Sequence, residues 1–171
     1  MASVRLTERV TPFVGAQVDE EAGVIRRACI CGLSSLNGND YQPGCYGDGK
    51  LYEGAKSFTN HRDRGGRQVE ELLGWWENTS LRPDGKPEGD FHYLKSHPMA
   101  ARMVEIAKRN PAAVGFSHVA QCETKPGKDG RTLVERVVKV ESIDLVADPA
   151  TTKGFFESKG SPMKLDRKSV V

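Results

Sequence analysis

The sequence predicts an α+β domain, mostly antiparallel β-sheet with one helix, and three observations carry that expectation. Short segments rich in β-branched and aromatic residues recur between clusters of Gly, Pro, Asn and Asp. One segment, "HPMAARMVEIAKRN", has apolar residues at helical spacing. Two long extended patterns, residues 113–124 and 132–147, flank the turn "KPGKDGR", which suits a hairpin of adjacent strands.

Taken in order, residues 1–22 are polar and weakly patterned, and suit an irregular lead-in or a first edge strand. "GVIRRACICG" follows a turn signal at Gly23 and sets Val24, Ala28 and Ile30 against Arg27, Cys29 and Cys31, the alternation of a strand. Residues 34–50 are dense in Gly, Asn, Asp and Pro and read as a long loop, of the kind that is often functional. "KLYEGAKSFTNH" is extended and ends at His61, before the charged turn "RDRGGRQ". "VEELLGWWENTSLR" reads as a strand, because Gly74 disfavours a helix while its tryptophans and Thr79 suit a sheet. "PDGKPEGD" is then a turn and "FHYLKS" a short strand. In the helix, Pro98 suits the first turn, Met99, Met103 and Ile106 face inward, and Arg102, Glu105 and Lys108 face out. Asn110-Pro111 ends it, and the last residues, "SKGSPMKLDRKSVV", form a polar, flexible tail.

At 171 residues the chain suits one domain with a real core. Its 25 Lys and Arg against 23 Asp and Glu are dispersed, which is no footprint for nucleic acid. No apolar run is long enough to span a bilayer, and the start "MASVRLTERV" lacks the apolar segment of a signal peptide, so a soluble intracellular protein is expected. In that compartment Cys29, Cys31, Cys45 and Cys122 are expected to be free thiols.

No metal or cofactor is expected. The single C-x-C has no second cysteine pair, as a structural zinc site needs, and the glycines of residues 38–49 lack a following G-K-[ST] or helix start. Serine hydrolysis is compatible with the composition. It needs a hydroxyl, an imidazole that takes its proton, and a third group that orients the imidazole. Ser117, in "NPAAVGFSHVAQ", is the candidate nucleophile, although no G-x-S-x-G is present. Of the four histidines (His61, His92, His97 and His118), His118 is set aside, because neighbours on a strand point to opposite faces. His61 is the better base, and Glu141 a plausible orienter; on pattern alone, an ordinary surface serine and histidine explain the same residues.

Read together, "GVIRRACICG", "FTNH", the Trp-containing strand, "MAARMVEIAKRNP", "VGFSHVA" and "VVKVESIDLVADPATTKGFFES" resemble the HK97-type head-maturation (prohead) serine proteases of tailed bacteriophages. The resemblance runs from about residue 22 to residue 158, and "LVADPATTKG" is its most telling phrase. It implies an antiparallel β-barrel with flanking helices, related to the herpesvirus assembly proteases, over residues 1–158, with 159–171 as the tail. Carried over residue by residue, it implies catalytic His61, Ser117 and Glu141, with Asp144 ranked second for the acid because it lies three residues on, across a regular strand. The separation 141 − 117 = 24 is what one hairpin needs to bring nucleophile and acid close. His118 departs from the family's usual Gly or aliphatic residue.

The implied activity is endoproteolysis inside the prohead, in the host cytoplasm. The implied substrates are the scaffold, the N-terminal extension of the major capsid protein, and the enzyme itself, with self-association expected and no nucleic acid or membrane partner. Two other classes compete: a non-catalytic scaffolding module of the same fold, and a zinc-binding interaction domain.

Overall fold

The structure, a computed structural model, describes residues 3–10, 17–35, 37–60, 65–110 and 113–147, with the backbone alone for residues 7–10. Its main elements, in chain order, are β1 (Ser3–Val10), β2 (Gln17–Asp19), β3 (Val24–Cys29), β4 (Asn39–Tyr41), β5 (Lys56–Phe58), β6 (Leu72–Leu81), β7 (Pro87–Tyr93), α1 (Ala100–Arg109), β8 (Val114–Pro126) and β9 (Thr132–Ala147).

The strands form two sheets. One has the order β1-β8-β9-β4, with β4 parallel to β9 and the other pairs antiparallel. The second has the order β2-β3-β7-β6-β5 and is antiparallel throughout. The mostly antiparallel α+β architecture is therefore observed. The expected barrel is not: among the described residues neither sheet closes, and the two join at one short edge, where Thr59 bridges Leu145. Edge strands β2 and β4 have three residues each, too few to carry a ladder of hydrogen bonds around a closed wall. The expected set of flanking helices reduces to α1 among the described residues.

Aromatic side chains hold the sheets together. Trp76 on β6, Phe91 on β7 and Phe116 on β8 are all fully buried, and the Phe116 ring meets the other two edge-on at 5.4 and 4.8 Å between centroids. Side chains of this size contribute on the order of 1.5–3 kcal/mol each when fully buried. The helix buries Ala100, Met103, Val104 and Ala107 and turns Arg102, Glu105 and Lys108 to solvent, as its spacing predicts. Gly74 lets β6 approach β7 closely, since a Cβ there would lie 2.0 Å from the His92 carbonyl oxygen.

Three local departures from the sequence reading have physical causes. In β3 the alternation breaks: Val24, Ile25, Ala28 and Cys29 are buried while Arg26 and Arg27 are exposed. The register slips between Ile25 and Ala28, and Arg27, at φ 52°, donates its N–H to Asp90 Oδ1 at 3.0 Å. The expected turn at residues 83–90 is shorter, because β7 already begins at Pro87. The long loop of residues 34–50 is tied down, with Tyr41, Cys45 and Tyr46 buried. Arg131 donates to Asp40 Oδ2 at 2.9 Å and to the Ser35 carbonyl at 2.8 Å. The proposed tail, residues 159–171, lies outside the described residues.

Candidate active site

Ser117 sits near the start of β8, which lies between β1 and β9, and is 3% exposed. It is not the solvated outer residue that simple alternation would make it, because residues 115–120 are buried without a break. Its cross-strand partner on β9 is Asp144, so the two side chains share one face of the sheet.

The register explains why Asp144, and not Glu141, faces Ser117. At the turn, Pro126 pairs with Thr132, so paired residue numbers sum to 126 + 132 = 258. Continued without interruption, that register would set Ser117 opposite 258 − 117 = 141. Three register shifts intervene, at Glu123/Thr124, Gln121/Cys122 and Val119/Ala120, and each places one additional residue on β9. The sum at Ser117 becomes 117 + 144 = 261, and the residues skipped are Glu135, Val138 and Glu141. Each shift reverses the alternation of side chains. Glu141 is thus a bulge residue near the surface. It accepts hydrogen bonds from Arg5 Nε at 2.7 Å and Gln121 Nε2 at 3.3 Å. The Arg5 bond holds its carboxyl below the usual carboxylate range, and partial burial opposes this.

Asp144 is fully buried and set in a network. Its Oδ2 accepts from Arg67 Nη2 at 2.7 Å and from Ser142 Oγ at 3.0 Å. Arg67 also donates through Nη1 to the Asn60 carbonyl at 2.7 Å and lies 4.7 Å above the centre of the Phe58 ring. Asn60 follows the end of β5 and is fastened to β9, its N–H donating to the Leu145 carbonyl at 2.8 Å. His61, the predicted base, is the next residue in the chain and lies outside the described residues.

The described histidines have other settings. His118 points away from Ser117 into the interior, where its Nε2 is 3.2 Å from the Tyr41 hydroxyl and its Nδ1 is 3.0 Å from the Tyr52 hydroxyl. A neutral imidazole donates from one nitrogen and accepts at the other, so this buried ring orders both tyrosines. His92 stacks on Trp75 and lies 2.9 Å from Glu77 Oε2. His97 accepts the Met99 N–H at Nδ1, just before α1.

Sequence reasoning took Arg67 only as part of the charged turn "RDRGGRQ" and ranked Asp144 second for the acid. A signal for the register was present: Val134, Val137, Val140 and Ile143 recur every three residues, where an unbroken strand would repeat every two. Among the described residues, no three His, Cys, Asp or Glu side chains are grouped to hold a metal. All four cysteines are buried free thiols, and burial raises the Cys45 thiol to about 12.

No protein-family model and no curated protein matches the chain. Among solved structures, its fold is similar to that of the bacteriophage T4 capsid assembly protease gp21, with a TM-score of 0.58 at 13% identity, covering 85% of this chain and 99% of that one.

Proposed function

We propose that this chain is a serine endopeptidase of phage head maturation, of the prohead type, with Ser117 as nucleophile, His61 as base and Asp144 as the acid that orients it. The observation that carries the reading is the register pair of Ser117 with the buried Asp144, on a fold shared with a capsid assembly protease. The quoted motifs add to it, and they extend the likeness to the HK97-type enzymes and the herpesvirus assembly proteases. Sequence order favoured Glu141 for the third role; its bulged position and its bond to Arg5 favour Asp144.

Chemically, Ser117 Oγ forms a bond to the scissile carbonyl carbon as its proton passes to His61. The C–N bond then breaks and His61 returns the proton to the leaving amine. Water, activated by the same imidazole, hydrolyses the acyl-enzyme. Asp144 holds the imidazole in the accepting tautomer and stabilises its cation. The substrates in this reading are scaffold, the N-terminal extension of the capsid protein and the protease itself, cut inside the assembled prohead by a self-associating enzyme.

Co-expression with the capsid and scaffold proteins, read by mass spectrometry, tests it. Wild type is expected to shorten both proteins and Ser117→Ala to leave them intact. Cleavage that survives Ser117→Ala overturns the assignment. A wild type that binds either protein and cuts neither is a non-catalytic assembly module.

A further inference from the structure

Arg67 stands between the two segments that a Ser, His and Asp site must hold together. One face of its guanidinium lies on the Phe58 ring, and its side chain is 21% exposed. From that position Nη2 reaches Asp144 Oδ2 and Nη1 reaches the Asn60 carbonyl, both at 2.7 Å. We propose that Arg67 is a positioning residue of this site: it fixes the Asp144 carboxylate relative to the chain at Asn60, immediately before the base. The inference rests on the assignment of Ser117, His61 and Asp144 above.

The physical case has two parts. A carboxylate buried as deeply as Asp144 requires a charged partner, and Arg67 supplies one. A planar guanidinium also donates in two fixed directions at once, which a lysine ammonium cannot reproduce in the same plane. Arg67 and Ser142 both approach Oδ2, and this sets the plane in which Oδ1 is presented. The Asn60 contact anchors the chain at the residue that precedes the proposed base in sequence. Asn60 is at φ 63°, a left-handed conformation that Asn tolerates better than most residues, and Arg67 binds the carbonyl of that strained turn. Arg67 thus acts on the hydroxyl of Ser117 only through Asp144 and the base.

Labelling of the purified full chain by a fluorophosphonate, followed by intact mass, tests this without a known substrate. In that reaction the Ser117 Oγ–P bond forms as the P–F bond breaks, fluoride leaves and the hydroxyl proton passes to His61. Wild type is expected to be labelled once and Ser117→Ala not at all. Arg67→Ala is expected to be labelled on the order of 10²-fold more slowly, as for a misplaced catalytic group, and millimolar guanidinium ion to restore much of the rate. Arg67→Lys is expected to fall between. If Arg67→Ala folds, by circular dichroism, and is labelled at the wild-type rate, the role is overturned and Arg67 is structural only; a slowed rate that guanidinium leaves unchanged overturns it equally. If Arg67→Ala does not fold, Arg67→Lys decides: a wild-type rate overturns the proposal. A wild type that is not labelled at Ser117 overturns the hydrolase reading itself, and the role of Arg67 with it.

Discussion

Ser117 on β8 and Asp144 on β9 are direct cross-strand partners, and three single-residue bulges put them there. Without the bulges Ser117 would face Glu141. Which acid faces Ser117 therefore depends on irregularities in one hairpin.

That relationship separates two acids by mutation. Asp144→Asn is expected to lower the fluorophosphonate labelling rate by about 10³-fold or more, since an amide can hold the imidazole in the wrong tautomer. Glu141→Gln is expected to leave the rate within about twofold and to cost no more than about 1 kcal/mol of stability, the usual limit for a partly exposed ion pair. Parallel labelling and thermal melts check both. The reverse order of effects would return the acid role to Glu141.

Tyr52→Phe tests the buried His118. Removing the hydroxyl 3.0 Å from Nδ1 takes a polar partner from a fully buried ring and is expected to cost roughly 1–3 kcal/mol. Denaturant unfolding measures it. A change below about 0.3 kcal/mol would show that this hydroxyl contributes nothing net there.

Gly74→Ala probes the approach of β6 to β7. A methyl group 2.0 Å from the His92 carbonyl oxygen meets backbone, which cannot move aside as a flexible side chain would. The expected loss is about 3 kcal/mol or more, at the severe end of single substitutions. Gly66→Ala, at a position open to solvent, is the matched control and is expected to change stability by less than about 0.5 kcal/mol.

The thiols predict an alkaline limit. Burial raises Cys45 from 9.0 to about 12, so the folded chain holds a proton that the unfolded chain releases earlier. Its contribution is complete below pH 9 and is lost as pH rises through the window up to about 12. Thermal midpoints are expected to fall across that window, and to fall less in Cys45→Ala. At pH 8 the four buried cysteines are expected to react with a thiol reagent only after unfolding.

Much of this architecture is legible in the residues themselves. The helical spacing of Met99, Met103 and Ile106, the turn at residues 125–131, and the β-rich composition around Trp75 and Trp76 specify local conformations. Local interactions suffice to express these. They also place Ser117 on a strand and bring Glu141 and Asp144 together on its neighbour. Which acid faces Ser117 depends on the sum of three bulges, and at the last of them the bulge residue Glu141 is paired with Arg5, outside the hairpin. Burial of His118 between Tyr41 and Tyr52, and the pairing of Arg67 with Asp144, join residues 66–77 positions apart in sequence. Alternation along a strand carries no information at that range. Tertiary packing alone turned a residue of a charged turn into the partner of the buried Asp144 and set His118 in the core.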